Sequence, residues 1–195
     1  DMTNSTGVDP IDFPALSANP TEYWIVATDA ATGAPVYFPK IKMKQDDYRC
    51  IMASCALPAA CKPIEIDGKL YYDGGVTDAI PVQRALDDGC DKIVAILSKP
   101  RGFIKKPEGM RFLYSRMCRK FPNTVKALDN RHIMYGKCQQ QLYDLEKEGK
   151  AFVFAPSNPP KMSTYTMDRE VEQQLYDLGM KDFHDAEDRF KKFLI

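Results

Sequence analysis

Residues 69–81 read Lys-Leu-Tyr-Tyr-Asp-Gly-Gly-Val-Thr-Asp-Ala-Ile-Pro, which predicts a short strand, a tight glycine turn and the start of a helix. The bulky side chains of residues 69–72 suit a half-buried strand. Gly74 and Gly75 lack a Cβ, so the chain can turn sharply there or approach another group closely. Asp73 is therefore expected at a strand end, where α/β proteins tend to place their chemistry. Because Asp-Gly-Gly is also common turn chemistry, a plain turn-capping role for Asp73 stays open.

Segments before this turn predict strands and one short helix. Apolar runs bounded by turn residues indicate strands over residues 23–29, 35–38 and 63–71. Asp67-Gly68 predicts a tight hairpin turn within the last of these runs. A helix is expected over residues 48–56, with Asp46 or Asp47 as its N-cap. Residues 1–20 are rich in polar residues and proline, and they are predicted to be an irregular lead-in.

Segments after the turn alternate between helical and strand patterns. A helix is expected from Pro81, which suits a first turn, to residue 88, with Gly89 ending it. The continuous apolar run over residues 92–97 predicts a parallel strand covered on both faces, and therefore a βαβ unit with residues 69–72. A further buried strand is expected over residues 151–155. Further helices are predicted over residues 110–120, 122–129, 135–148, 168–178 and 182–193.

Composition excludes several classes of partner. The 195 residues include 27 basic and 27 acidic side chains, so no net charge favours nucleic acid or an anionic membrane. No apolar run is long enough to span a bilayer, and the first residues carry no hydrophobic leader. A chain of this size can bury a core without disulfides, so a cytoplasmic protein with reduced cysteines is expected. Six cysteines occur without a C-x-x-C pair and with two histidines. A metal site is therefore not expected, and most cysteines should be reduced and buried.

The order and spacing of these segments resemble the patatin-like phospholipase family, and more narrowly its bacterial branch with extra C-terminal helices. The resemblance extends over nearly the whole chain. The segments that carry it are residues 23–29 with Thr32-Gly33, 53–58, 72–75 with 80–82, 93–97, 101–103 and 154–156.

This resemblance implies a fold, a reaction and a site. The fold would be α/β, a patatin-like three-layer α/β/α sandwich, of which residues 1–160 form an incomplete C-terminal part and residues 161–195 a helical appendage. The reaction would be ester hydrolysis of a lipid or small ester by a serine–aspartate dyad, without a cofactor or metal. Asp73 would be the dyad aspartate, and Gly74 and Gly75 its supporting turn. A serine hydroxyl needs such a base, and a carboxylate serves better when burial raises its pKa.

The sequence departs from the family pattern at the nucleophile. It contains no G-x-S-x-G motif, and no glycine run that could donate N–H groups to an oxyanion. Both parts are expected in an N-terminal portion of the same protein, so this chain alone should not hydrolyse esters. An incomplete sheet should also expose an open edge and an apolar face. The missing portion or a second copy of the chain is expected to cover that face.

Other candidate residues have simpler interpretations. Ser54 is expected in a supporting helix, Asp78 as a helix cap and Asp29 as turn chemistry. The two histidines, His132 and His184, are expected to be exposed or hydrogen-bonded. The loop bearing Arg101, Lys105 and Lys106 could meet an anionic head group, although solvated charges are the simpler interpretation.

Two other functions remain open from the sequence. The chain could be a non-catalytic interaction module whose terminal helices lie on a partner or a lipid surface. Apolar stripes of this kind more often pack on their own core; here the stripe comprises Leu175, Leu178, Phe183, Phe190 and Phe193. A nucleotide-binding α/β domain is disfavoured by the absence of a glycine-rich phosphate loop.

Overall fold

A computed structural model describes residues 3–161 and 168–195. The chain divides into two compact units. The first contains the chain up to Ile80 together with Lys106–Tyr135, and the second contains Pro81–Lys105 and Gly136–Ile195. The mixed α/β class expected from the sequence is confirmed. The proposed boundary at residue 160 stays a prediction.

The first unit is built on a four-stranded antiparallel sheet in the order β2-β1-β4-β3. Its strands are β1 (Trp24–Asp29), β2 (Pro35–Pro39), β3 (Ile64–Ile66) and β4 (Lys69–Asp73). At the hairpin between β3 and β4, Asp67 and Gly68 both have positive φ, 50° and 74°. That backbone belongs to a type I′ turn, which confirms the predicted hairpin.

One face of this sheet forms the core with two short helices, α1 (Phe13–Ala18) and α2 (Arg49–Ser54). Helix α1 lies in the segment predicted to be irregular, so that prediction is wrong. The carboxylate of Asp12 caps it by accepting from the Ala15 N–H, and Phe13 packs against Tyr48 at 6.4 Å between ring centroids. The apolar side chains of α1 therefore pack on the core, although residues 1–20 are mostly polar.

The cap predicted for α2 is wrong. The N-cap residue is Tyr48, and its side chain makes no capping hydrogen bond. Asp46 instead accepts hydrogen bonds from the N–H and hydroxyl of Ser5. Asp47 pairs with Arg49 at 2.7 Å. Both carboxylates thus bind to other side chains, and the helical pattern in the sequence did not predict these contacts.

The first unit also includes α4 (Arg111–Met117) and the start of the long helix α5 (Pro122–Lys147). Helix α5 begins against the loop that joins β1 to β2. The buried Thr124 hydroxyl donates to the Ala30 carbonyl at 2.8 Å, and Asn123 Nδ2 donates to the Ala31 carbonyl at 2.9 Å. A Cβ on Gly33 would lie 2.6 Å from the Asn123 carbonyl oxygen, so the loop can approach the helix this closely because residue 33 is glycine.

The second unit contains α3 (Val82–Asp87), a two-stranded parallel sheet of β5 (Ile93–Ile96) and β6 (Ala151–Phe154), and α6 (Arg169–Leu194). The predicted βαβ unit is wrong, because β5 pairs with β6 and not with β4. The expectation that β5 is covered on both faces is also wrong. Val94 is 41% exposed and Ile96 is 82% exposed. Within the described residues β6 is the one strand neighbour of β5, so the other edge of β5 is unpaired as well.

Two predicted helix breaks are absent. Residues 122–147 form one helix, and Asp168 caps a second continuous helix that runs through Gly179. A glycine inside a helix costs about 1 kcal/mol relative to alanine. Aromatic packing offsets that cost, because Phe190 lies 5.3 Å from Phe152 and 5.2 Å from Phe154 between ring centroids. The phenylalanines of the α6 stripe therefore pack on β6, as the simpler interpretation predicted.

The six thiols are free. Cys50 and Cys118 are buried and Cys138 is half-buried, whereas Cys55, Cys61 and Cys90 are exposed. The expectation that most cysteines are buried is therefore wrong. Among the helices of residues 3–161 and 168–195, none combines the length and the apolar character that crossing a membrane requires.

Candidate active site

Asp73 is the last residue of β4, and its backbone is held on both sides. Its N–H donates to the Ala56 carbonyl at 2.9 Å. Its own carbonyl accepts a hydrogen bond from the Thr28 hydroxyl at 2.8 Å. Thr28 is fully buried in β1, so this bond is shielded from water. The backbone of Asp73 is thus held by a loop residue after α2 and by a residue of β1.

The two carboxylate oxygens of Asp73 have different environments. Oδ1 accepts a hydrogen bond from the Gly75 N–H at 2.7 Å, which caps the turn Gly74–Val76. Oδ2 accepts no hydrogen bond from the residues that the structure describes. The residue as a whole is half-buried. The carboxylate therefore caps the turn through one oxygen and leaves the other able to accept a proton.

Gly74 is required by close packing of the turn on β1. A Cβ at this position would lie 2.3 Å from the Val26 carbonyl oxygen, far inside van der Waals contact. On the other side of the turn, Val76 is buried and packs with Tyr114 and Leu128. The turn is therefore pressed between the sheet and two helices, which leaves it little room to move.

Thr77 closes the turn from its far end. Its hydroxyl lies 2.9 Å from that of Thr28, and its N–H donates to the Gly74 carbonyl at 3.1 Å. The two threonines thus join β1 to the residues on either side of the glycines. Sequence reasoning missed this pair, because Thr28 and Thr77 are 49 positions apart and each is an ordinary residue in its own segment.

Arg131 approaches the same turn from α5. Its Nε donates to the Gly75 carbonyl at 2.6 Å, and its Nη1 donates to Glu108 at 2.9 Å. The Arg131 side chain is 19% exposed and that of Glu108 is 28% exposed. Sequence reasoning missed both residues, since the contact spans 56 positions and nothing local marks Arg131 as special.

Comparison with known proteins assigns the segment that carries Asp73. Residues 11–86 match the family model described as patatin-like phospholipase. This stretch of the chain is similar to patatin-like phospholipases. It includes Asp73, Gly74 and Gly75, while residues 121–195 match a domain of unknown function, DUF6363.

Matches to individual proteins have about the same length as the match to the family model. An uncharacterized NTE family protein of Mycobacterium bovis is 33% identical over 82 residues, which are 42% of this chain and 22% of that protein. A Mycobacterium tuberculosis protein of the same description gives the same values. The uncharacterized protein YjjU of Escherichia coli is 36% identical over 76 residues, which are 38% of this chain and 21% of the relative. The match thus spans about a fifth of the length of these relatives.

Other residues of the patatin-like segment have structural roles. Asp29 accepts hydrogen bonds from the Ala31 and Thr32 N–H groups, which confirms its predicted turn role. Asp78 does not cap α3, because that helix has no side-chain cap, and Asp78 instead accepts from the Tyr37 hydroxyl. Ser54 lies in the last turn of α2, as predicted.

The thiol of Cys55 lies within electrostatic reach of the candidate base. Partial burial raises the pKa of Cys55, and the Asp73 carboxylate raises it further. A higher pKa keeps this exposed thiol protonated at neutral pH, so it is a poor nucleophile. In the described part of the chain, no three His, Cys, Asp or Glu side chains are grouped so that they could hold a metal ion.

Predictions for the remaining charged residues had mixed outcomes. Arg101 is not simply solvated, because its guanidinium forms two bonds to Glu146 at 2.6 and 2.7 Å and a third to the Val153 carbonyl. On the same loop Lys105 is half-buried, whereas Lys106 is exposed, as the solvated-loop interpretation predicted.

The two histidines differ. His184 is exposed and lies 3.5 Å from Glu187, as expected of a surface residue. The prediction for His132 is wrong, because its Nδ1 is buried and has no hydrogen-bond partner among the described residues.

An apolar groove of about 400 Å³ lies within the second unit, between the β5–β6 sheet and α6. The exposed side chains of β5 form one wall, and α6 contributes Leu175, Phe183 and Phe190. The exposed apolar face expected of an incomplete sheet is therefore present. What covers it in the whole protein stays a prediction.

Proposed function

We propose that this chain is the aspartate-bearing part of a lipid acyl hydrolase whose serine nucleophile lies in another part of the same protein. The observation that supports this most directly is the Asp73 carboxylate. One of its oxygens is anchored by the turn and the other is open, and it lies in the segment that matches patatin-like phospholipases. A fixed carboxylate with one unoccupied oxygen is the geometry that a general base needs.

In the proposed reaction, Asp73 Oδ2 removes the proton of the serine hydroxyl as the oxygen attacks the ester carbonyl. The tetrahedral intermediate then expels the alcohol, which takes the proton from Asp73, and an acyl-enzyme remains. Water attacks the acyl-enzyme while Asp73 takes one of its protons. Asp73 then gives that proton to the serine oxygen as the bond to the acyl carbon breaks and the fatty acid is released. The hydrogen bond from Gly75 to Oδ1 keeps the carboxylate in one orientation through both steps.

The isolated chain should be inactive under this proposal. None of its serines lies in a G-x-S-x-G sequence, so it has the base without the group that the base activates. Serine-dependent ester turnover by the 195-residue chain would contradict this part of the proposal.

The decisive experiment is fluorophosphonate labelling of the full-length gene product with Asp73→Asn. Asparagine retains an oxygen that can accept from Gly75, so the turn should persist while the base is lost. Because general-base catalysis contributes about 10²–10⁴-fold, labelling and ester turnover should slow by at least about 100-fold. The matched control is Asp78→Asn, five positions along, whose carboxylate bonds to Tyr37 and not to the Gly75 N–H. Equal loss in both variants, or normal labelling of Asp73→Asn, would reject the dyad.

The exposed face of β5 favours a second candidate, a non-catalytic interaction module. Val94 and Ile96 present apolar surface that a partner could cover. Full-length protein that binds no fluorophosphonate and hydrolyses no ester would favour this candidate over the hydrolase.

A further inference from the structure

Gly75 is held by two charged side chains from different parts of the chain. Its N–H donates to Asp73 Oδ1 at 2.7 Å, and its carbonyl accepts from Arg131 Nε at 2.6 Å. A Cβ built on Gly75 would lie 3.1 Å from Asp73 Oδ1 and 3.4 Å from Arg131 Nη2, so both charged groups border the same side of this residue. A glycine backbone has more freedom than any other, and these two bonds remove it here.

The guanidinium is itself held in place. Glu108 accepts from Nη1 at 2.9 Å, while Nε points at the turn. Both side chains are largely shielded, at 19% and 28% exposure, so the pair is screened less by solvent than a surface ion pair. A planar guanidinium can serve these two acceptors at a fixed angle, which a lysine ammonium cannot do.

The remaining contacts of the turn do not replace this bond. The Gly74 carbonyl accepts from the N–H groups of Thr77 and Asp78, which fixes the peptide before Gly75. The peptide after Gly75 is held at its oxygen by Arg131. Thr77 and Asp78 follow that second peptide in the chain, so without the Arg131 bond their N–H groups could shift slightly. The Gly74–Gly75 peptide, which carries the Gly75 N–H, would then shift with them relative to Asp73.

We propose that Arg131 is a positioning residue for Asp73. It holds the Gly75 carbonyl, so the Gly75 N–H stays on Oδ1 and Oδ2 stays directed at the serine hydroxyl. Glu108 orients the guanidinium for this purpose. This inference rests on the proposed function, since Asp73 must be the base for its orientation to affect turnover. Arg131 lies in the region that matches the domain of unknown function, so that region contributes to the site of the patatin-like segment.

The test measures kcat and KM for a soluble short-chain p-nitrophenyl ester with the full-length gene product. In Arg131→Ala, kcat should fall about 10- to 100-fold while KM changes less than about twofold, because the base is misdirected and substrate binding is not touched. Millimolar guanidinium added to this variant should restore part of kcat. Arg131→Lys should remain at least about fivefold impaired, and it serves as the second variant if alanine prevents folding.

Arg111→Ala is the matched control. Arg111 also forms an ion pair with a carboxylate in the first unit, Asp129 at 2.8 Å, but it has no bond to the Asp73 turn. Its kcat should stay within about threefold of wild type and should not respond to guanidinium. Unchanged kcat in both Arg131 variants would overturn the inference. Equal loss of kcat in the Arg111 and Arg131 variants, without rescue, would overturn it too, because the effect would then be general destabilisation.

Asp73→Asn in the same assay separates the two proposals. If that variant loses activity and the Arg131 variants do not, the dyad stands and the positioning role is rejected. If Asp73→Asn retains activity, the proposed function is rejected, and the positioning role with it.

Discussion

Replacing Gly74 with alanine tests the packing of the turn Gly74–Val76 beside Asp73. The new Cβ would lie 2.3 Å from the Val26 carbonyl oxygen and 2.6 Å from the Val26 carbonyl carbon. Both atoms are backbone atoms of β1, a strand that is paired with β2 on one side and β4 on the other. The clash therefore cannot be relieved by rotating a side chain, and the turn or the central strand must move by roughly 1 Å.

The expected cost follows from that geometry. Overpacking a well-packed site costs about 1–3 kcal/mol, and a clash with paired backbone belongs at the upper end of that range. A loss of about 3 kcal/mol corresponds to a decrease in melting temperature of about 6–12 °C for a chain of this size. The same movement would carry Asp73 away from its anchored position. If the proposed function holds, ester turnover by the full-length protein should therefore fall together with stability.

Urea unfolding followed by the fluorescence of Trp24 is the appropriate assay. Trp24 is the single tryptophan of the chain and lies in β1, two residues from Val26. Gly179→Ala is the control, because that glycine lies inside α6 and a Cβ there would have no atom within 4 Å apart from its chain neighbours and the backbone of its own helix. The free energy of unfolding of this variant should rise by about 1 kcal/mol, measured by urea unfolding followed by circular dichroism. A Gly74→Ala protein that unfolds within about 1 kcal/mol of wild type would refute the packing assigned to this turn.

Two further predictions concern stability. Asp129→Asn should lower the free energy of unfolding by about 1 kcal/mol at neutral pH, since hydrogen bonds from Arg111 and Tyr114 hold the pKa of Asp129 below its usual range. That contribution is fully present above the unfolded aspartate pKa of about 3.9 and is lost as the pH falls through the lower folded value, so the two urea curves should converge in acid; a constant gap would contradict the assignment. Asp168→Ala should cost about 1 kcal/mol, measured as lost helical ellipticity, because Asp168 Oδ1 accepts from the Glu170 N–H at the start of α6. Asp168→Ser, which can still cap, should lose much less, and equal losses would contradict the capping role.

The predictions from sequence that were confirmed depend on interactions between residues close together in the chain. Asp67-Gly68 gave the hairpin because positive φ at two successive residues is a property of the residues themselves. Asp29 could be placed in a turn for a similar reason, since its carboxylate bonds to N–H groups two and three positions ahead. The close approach at Gly74 followed from the lack of a Cβ, although Val26 as the neighbour did not.

Long-range pairing accounts for the failures. The apolar run of β5 is compatible with several partners, and the sequence does not state that β6 is the strand beside it. Gly179 and the polar stretch around Arg131 look like helix ends, yet packing and hydrogen bonds to distant residues keep both helices continuous. For the same reason the aspartate of the candidate site was found and its supporting residues, Thr28, Thr77 and Arg131, were not.

The packing of α5 on the loop between β1 and β2 determines which truncated forms of this protein can fold. A polypeptide trimmed to residues 11–86, the limits of the patatin-like match, would discard Thr124, Phe121 and Arg131 together. The carbonyl of Ala30 would lose its donor, and the ring of Tyr72 would lose the edge-on neighbour at 5.9 Å that shields it. We expect such a truncated polypeptide to be insoluble. The residues that match the family model are therefore fewer than the residues needed for folding. A polypeptide expressed to contain Asp73 should extend at least through residue 135.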